Sequence, residues 1–581
     1  MPASSHHLPV AMYEPSCAHP FLRSISTALA VAVLSQGLSP LPTHAQVVVP
    51  PQGEMEQYLR LLQVTGRAPL HPWSVRGFGP REIQTLLPRG DDDPWSHLIP
   101  RASHASATGL RARLLPTSVR GIFNSHYPLD RNDGVTWAGK GVTGEVRFGG
   151  AMEWGPLTVV AEPVAFWSQN RDFQLAPTLR EGRERFAEYR FVNTGIDHPQ
   201  RYGPGSYARL DAGNSQIRLD FLYVALGFST GHQVWGPGQE QPVILGTNAP
   251  GFPHIFLGTS EPVNIWLGTV SGRVSWGRLS QTGWALLPDP PAHRLMSGVV
   301  GTFSPRWIPN LEVGAGRFFH EAWPDDGLRL EDFRRPIEPF LKETLRERFP
   351  DTTGENPLDR VGLRPENQLA SFFARWVFPA SGFEAYLEWG KEDHSFDLRD
   401  LFLRPDNQSG YLIGFRKVWE GRAETPRWSQ LRGELLNLKI GPLRQVQGYA
   451  PFYVHMFSDE QGRTRQGHTH RGRILGAPAG YGGAGSHLAW DRYEPWGRWT
   501  LKAARELRTD RPLSVSVWEG RPMPTAADVG PDVLYALGGE AVLFRGRYTF
   551  HGGLTGAYNF NRYYLSNEPN LRLDFGVKAA F

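Results

Sequence analysis

The sequence predicts an all-β transmembrane protein: a closed antiparallel barrel of the bacterial outer-membrane type, of about 18 strands, preceded by a small helical segment. Three observations carry that prediction. The last stretch alternates strictly, with Leu571, Leu573, Phe575, Val577, Ala579 and Phe581 separated by Arg572, Asp574, Gly576, Lys578 and Ala580. A period of 2 puts these sets on opposite faces of a strand, and a tilted membrane strand of about 10 residues needs one apolar and one polar face. The same alternation recurs from about residue 117 onward in about eighteen to twenty segments of roughly 8 to 12 residues, with turn residues between them. Finally, hydrophobic residues make up 40% at a mean hydropathy of −0.38, which excludes a bundle of apolar membrane helices. Aromatics at 12%, 19 Trp and 64 Gly suit the interfacial girdles and tight turns of a barrel.

In chain order, Arg23 precedes an apolar stretch from Ile25 to Leu38, and Thr43-His44-Ala45 supplies small residues before Gln46. Residues 1–45 therefore read as a cleaved secretory leader, too short and too polar downstream for a membrane helix. Cys17 is the one cysteine, so the mature chain would carry no disulfide and no thiolate chemistry. Residues 46–116 change to short helices. Met55, Tyr58, Leu59 and Leu62 share one face of a helix ending near Gly66, and a second begins at Pro80 and stops at Leu87 before Pro88. This segment is too small for a core of its own and is expected to pack on the barrel and close its periplasmic side.

The barrel is expected over 117–581. Val142, Val146 and Phe148 alternate with Thr143, Glu145 and Arg147; Ile217, Leu219 and Phe221 with Arg218 and Asp220; Phe383, Ala385, Leu387 and Trp389 with Glu384, Tyr386 and Glu388. Taken alone, the terminal segment also fits the edge of a soluble sandwich. Charges on one face of nearly every segment argue against that, because unpaired buried charge is costly, whereas a wet or networked lumen accommodates it. Long insertions interrupt the pattern at about 320–367 and 458–482. Counting strands back from a terminal strand that ends in the periplasm puts 458–482 outside. The same count puts the tight Pro379–Gly382 turn outside as well, where long loops are expected.

A net charge of +4 is too small to imply nucleic acid. Only 7 of the 61 basic residues are Lys, and Arg suits bidentate contacts with carboxylates or phosphates on an acidic polysaccharide, although a GC-rich genome gives the same excess. Glu384 and Glu388 share a strand face about 13 to 14 Å apart, beyond the roughly 5 to 9.5 Å of glycoside hydrolysis. His468 and His470 share a face of an extended loop. They read as hydrogen-bonding partners of wall carboxylates sooner than as metal ligands, since no third ligand accompanies them. Trp235 lies on a Trp-Gly-Pro-Gly turn, suited either to stacking a sugar or to anchoring the turn. Asp133-Gly134 is a turn signal first. No catalytic group, cofactor or metal is expected.

The stretches Asn132–Gly141, Trp235–Gly238, Glu388–Asp393 with Asp397–Asp400, and Gly467–Gly476 (Gly-His-Thr-His-Arg-Gly-Arg-Ile-Leu-Gly) resemble the Wzi family of capsule-assembly proteins. The resemblance runs from Glu54 to Phe581. It implies a barrel of about eighteen strands in the outer membrane of a Gram-negative-type bacterium, closed on the periplasmic side by a helical bundle and binding capsular or extracellular polysaccharide. The expected partners are that polysaccharide, outer-membrane lipids and the barrel-assembly machinery, which would read Phe575 and Phe581; the expected state is a monomer. Candidate polysaccharide or lumen residues are Trp235, Arg375, Glu384, Glu388, Lys391, His468, His470 and Arg471. The alternative is a porin-like channel or uptake barrel for small hydrophilic solutes, and the two differ in whether the lumen is blocked.

Overall fold

The computed structural model describes residues 49–580 apart from 87–94, 96–108, 177–179, 188–195, 285–292, 325–326, 338–365, 393–397, 404, 407, 422–426, 440–450, 455–466, 509–516, 519–520 and 523–529. The expected leader with Cys17, the run from Pro336 to Phe349 beyond Ile337, and Phe581 lie outside the described residues. Among the described residues the wall is a closed barrel of eighteen antiparallel strands. The last strand, Ser566–Ala579, closes onto the first, Arg111–Asn124, with Val577 opposite Val119 and Phe575 opposite Gly121. Closure leaves no sheet edge along this seam, as lipid requires, since no water is present there to satisfy free N–H and C=O groups. Leu571, Leu573 and Phe575 are exposed on the outer face, while Arg572 and Asp574 turn inward onto Asp133 and Arg120.

The wall starts at Arg111, not at 117. The strand runs through Pro116 because the register shifts between Leu115 and Ser118, and a bulge leaves unpaired the residue that lacks an N–H. Three wall strands are broken in two: Leu157–Ala161 with Val164–Ser168, Tyr207–Asp211 with Gln216–Phe221, and His254–Thr259 with Val263–Ile265. Pro163 and Pro262 sit at two of these breaks, where a ladder bond cannot be donated.

One end of the barrel carries tight turns, at Trp154–Leu157, Phe221–Val224, Ile265–Gly268, Glu494–Gly497 and Arg545–Tyr548. In outer-membrane barrels this is the periplasmic end. Trp154, Trp266, Trp307, Trp419 and Trp496 ring it on the outer surface, a girdle at headgroup level. The Pro379–Gly382 turn belongs to this end, since four antiparallel strands, Gly268–Ser280, His293–Pro305, Leu311–Ala322 and Glu366–Phe378, separate it from the Ile265–Gly268 turn; Gly66, just past the helix Glu54–Val64, abuts Pro379 there. This corrects the strand count made from the sequence. The insertions between 322 and 366 and between 437 and 484 both leave from the opposite, outer end. The slip lies between the two features, where three unbroken wall strands, Phe383–Glu392, Ser409–Glu420 and Trp428–Asn437, separate that turn from the 437–484 insertion.

The helix Glu54–Val64 buries nearly its whole circumference, not one face: Glu56, Arg60 and Gln63 are as buried as Tyr58 and Leu62. It lies inside the barrel. Tyr58 stacks on Trp95 at 4.6 Å, and both pack with the wall residues Trp428, Tyr493 and Phe544. A second interior core joins Trp235, Val243–Leu245, Phe252, Tyr453, Ile474 and Leu475 from inward-folded segments to Met296, Phe318, Phe373 and Leu412 of the wall.

Leu573 lies near the middle of the 14-residue closing strand and faces outward. Leu573→Arg is expected to cost about 2–4 kcal/mol of folding stability in lipid vesicles, read by urea titration of tryptophan fluorescence. Unchanged stability would show that this face does not meet hydrocarbon.

Candidate functional site

The inward charges of the wall meet a plug built from the N-terminal helix, residues 125–140, 230–253 and 467–483. Glu384 is the centre of one clamp. It accepts from Arg60 Nε at 2.9 Å and from Arg375 Nε at 3.2 Å, with Arg416 Nε at 4.0 Å, and all four side chains are buried. Arg60 also donates to Pro237 O at 3.0 Å, so one guanidinium ties the helix to both the wall and the 230–253 segment. Bidentate, charge-assisted geometry offsets the cost of removing these ions from water.

Other wall carboxylates hold plug backbone directly. Glu312 accepts from Trp73 N at 2.8 Å and Ser74 N at 2.9 Å. Glu434 accepts from Glu240 N at 2.8 Å, Gln241 N at 2.9 Å and Tyr386 Oη at 2.7 Å. Glu392 accepts from Tyr453 N at 2.7 Å. On the other side of the lumen Asp491 joins Arg432 at 2.9 Å and Arg498 at 3.1 Å, and Arg498 reaches Glu54 at 2.6 Å. The inward loop after the first strand is anchored by Asp133, 2.8 Å from both Arg120 and Arg572, and by Asp130, 2.6 Å from Arg473.

The residues singled out in the sequence fall into distinct places. Arg375 and Glu384 sit together in the clamp, and Glu388 faces Gly236, where a Cβ would come within 2.2 Å of its carboxylate. Gly236, at φ +86°, is thus required twice, by conformation and by space. Lys391 is corrected: alternation puts it on the side of Leu387 and Trp389, away from Glu388, and it is buried. Trp235 is also corrected as a sugar platform. It is fully buried against Phe318, Gly298 and Gly316, a core residue with no open face. His468 and His470 bond to backbone and not to wall carboxylates: His468 Nε2 pairs with Ile244 O at 2.7 Å, and His470 Nδ1 accepts from Ser280 N at 3.0 Å. Burial pushes the His468 imidazole down to about 3 and His470 well below its usual range, so both rings are neutral. Arg471 pairs with the buried Asp211 of the wall strand Tyr207–Asp211.

A polar cavity of about 600 Å³ remains between the plug and the wall, with Arg120, Arg147, Lys502, Glu540, His551 and Asp574 among its walls. On the side of the outer end, Tyr127 and Leu129 of the inward loop pack against Leu534, Ala536 and Ala557. The anchoring residues Arg60, Glu312, Glu434, Asp491 and Asp133 were not singled out as site residues from sequence. Glu312, Glu434 and Asp491 are three more inward charges among many, Arg60 is one polar residue of the helix and Asp133 reads as part of a turn, with nothing in the sequence to tell which segment each would meet.

Fold and lumen together define a class: an outer-membrane β-barrel whose interior is occupied by its own N-terminal helix and inward-folded loops. No protein-family model and no curated protein sequence matches the chain. Among solved structures it is similar to Wzi, described as an outer-membrane protein involved in group 1 capsule assembly in Escherichia coli and a carbohydrate-binding β-barrel. The TM-score is 0.60 at 16% identity, covering 92% of this chain and 100% of that one. OccAB2 of Acinetobacter baumannii (8% identity, 81% and 98% covered) and a BenF-like porin from Pseudomonas fluorescens Pf-5 (6%, 81% and 99%) match at a TM-score of 0.37.

Glu384→Gln is expected to leave the Arg60, Arg375 and Arg416 charges without their shared carboxylate and to cost about 3–5 kcal/mol. The readouts are a lower melting temperature and trypsin cleavage at Arg60 under conditions where the wild type resists. Asp130 yields a pH expectation. Burial pushes its carboxyl up to about 7 despite Arg473, with the neighbouring Asp133 charge adding to the rise. Because this folded value lies above the unfolded one of about 3.9, the folded state holds the proton more tightly. Stability therefore falls as pH rises from about 4 to about 7. Asp130→Asn should shrink the difference in melting temperature between pH 5 and pH 8; an unchanged difference would remove Asp130 as its source.

Proposed function

We propose that this barrel is a non-enzymatic, Wzi-like lectin that binds and organises capsular or extracellular polysaccharide at the cell surface, with residues 46–116 closing its periplasmic end. The observation that carries the reading is the filled lumen. A helix, two apolar interior clusters and buried Arg–carboxylate clamps occupy the space that a porin-like channel would leave to water. The likeness in fold to a carbohydrate-binding barrel supports polysaccharide as the ligand class. In this reading Arg375, Glu384 and Glu388 hold the plug in place, and contact with polysaccharide falls to the outer end, where Arg471 lies. The protein acts as a monomer among outer-membrane lipids, and Phe575 and Phe581 serve the assembly machinery.

The porin-like alternative needs the polar cavity to open past the inward loop, where Tyr127 and Leu129 are packed on the wall. Deleting the gene is expected to release polysaccharide from the cells into the medium, measured as the ratio of cell-bound to free polymer. An unchanged ratio would contradict the lectin reading.

A further inference from the structure

The wall is not paired strand to strand over its full height. Gln216–Phe221 is covered by Val224–Ser229, which pairs with His254–Thr259, which pairs with Gly268–Ser280. After Ser229 the chain leaves the wall, and it returns only at His254. Among the described residues of the outer half, Tyr207–Asp211 is therefore paired on one side alone, with Val164–Ser168, and Leu279 and Ser280 are paired with Arg294 and His293 alone. Two strand edges face each other across a notch. Edges facing lipid need partners from within the protein.

The partner is a hairpin from inside the barrel, Thr469–His470 with Arg473–Ile474. Arg471 N donates to Ser280 O at 2.8 Å, Ser280 N donates to His470 Nδ1 at 3.0 Å, and Tyr202 Oη donates to Arg471 O at 2.8 Å. Across the notch the Arg471 guanidinium pairs with Asp211. The two turn residues, Arg471 and Gly472, lie at φ +50° and +79°. A two-residue hairpin turn with both φ values positive favours Asn-Gly, so arginine in its first position is a strained choice that delivers a guanidinium to the notch.

That guanidinium is incompletely neutralised. Arg209 reaches the same Asp211 from the wall at 3.6 Å, so two cations share one carboxylate, and Arg471 Nε is buried without a hydrogen-bond partner. Burial and the Arg209 charge both lower the Arg471 pKa, the direction expected of cation excess. The two side chains are still 22% and 28% exposed. Beside them Tyr207 stacks on Tyr202 at 4.7 Å, and Trp284, partly open, carries Arg183 over its ring at 5.4 Å.

We propose that this notch, framed by Tyr207–Asp211 and Leu279–Ser280 and closed by the Arg471 hairpin, binds an anionic sugar. Arg471 and Arg209 take its carboxylate or phosphate in forked contacts, and the aromatic edges of Tyr207 and Trp284 flank the ring. The site deepens the lectin reading and rests on it for its biological setting. Its chemistry has two sources, a uronate unit of the polysaccharide and a phosphorylated sugar of outer-leaflet lipopolysaccharide.

The test compares the purified full chain with Arg471→Asn, a change that suits the turn and removes the charge. Binding of oligogalacturonate, lipopolysaccharide and neutral maltooligosaccharide is measured alongside melting temperature. The expected result is an unchanged or higher melting temperature, at least a ten-fold loss of affinity for an anionic probe, and no change for the neutral one. Loss on oligogalacturonate assigns the polysaccharide source, and loss on lipopolysaccharide assigns the lipid source. Equal affinity of both proteins for both anionic probes, or no binding of either by the wild type, overturns the proposal. So does a lower melting temperature in Arg471→Asn with affinities intact, since that marks a purely structural ion pair. A deletion strain that keeps its polysaccharide while Arg471-dependent binding persists overturns the lectin reading alone.

Discussion

A barrel wall of alternating residues turns half of its side chains inward, and in this chain many of those side chains are charged. Every inward Glu, Asp and Arg must find a partner or water, and the structure answers chiefly with partners. The Glu384 clamp shows the principle. One buried carboxylate gathers Arg60 from the N-terminal helix and Arg375 from the wall, so helix and wall cannot separate without exposing unpaired charge. Glu312, Glu434 and Glu392 extend it to backbone N–H groups of the inward segments, which would otherwise be unsatisfied.

This constraint separates the two readings of function. In a conducting barrel, lumen charges set selectivity by staying hydrated. Here the charges of the clamps are buried, and apolar clusters around Trp235 and Tyr58 lie where water would stand. The remaining polar cavity is bordered by ion-paired side chains such as Arg120 and Asp574. That arrangement supports the proposed surface role, which places contact with polysaccharide at the outer end, near the notch at Arg471.

Much of the wall was legible in the sequence because a period of 2 is a local signal. The closing strand, its pairing with the first strand and its lipid face follow from Leu571, Leu573 and Phe575 alternating with Arg572 and Asp574. The breaks at Pro163, near Gly213 and at Pro262 shortened strands below what alternation can register, and the count back from the terminus slipped separately, among Phe383–Glu392, Ser409–Glu420 and Trp428–Asn437. Side chains inside the plug were less legible. Trp235 has the composition of a sugar platform, and its burial depends on Gly298 and Gly316, more than sixty residues away in sequence. The helix reads as one-sided because Glu56, Arg60 and Gln63 are polar, yet each has a partner inside the barrel or packs against one.

The most direct test of the filled lumen is the conductance of the purified full-length barrel in planar bilayers. The account predicts a bilayer that stays at baseline, without steady single-channel steps, at neutral pH. Stable, large single-channel currents from the wild-type protein would contradict it.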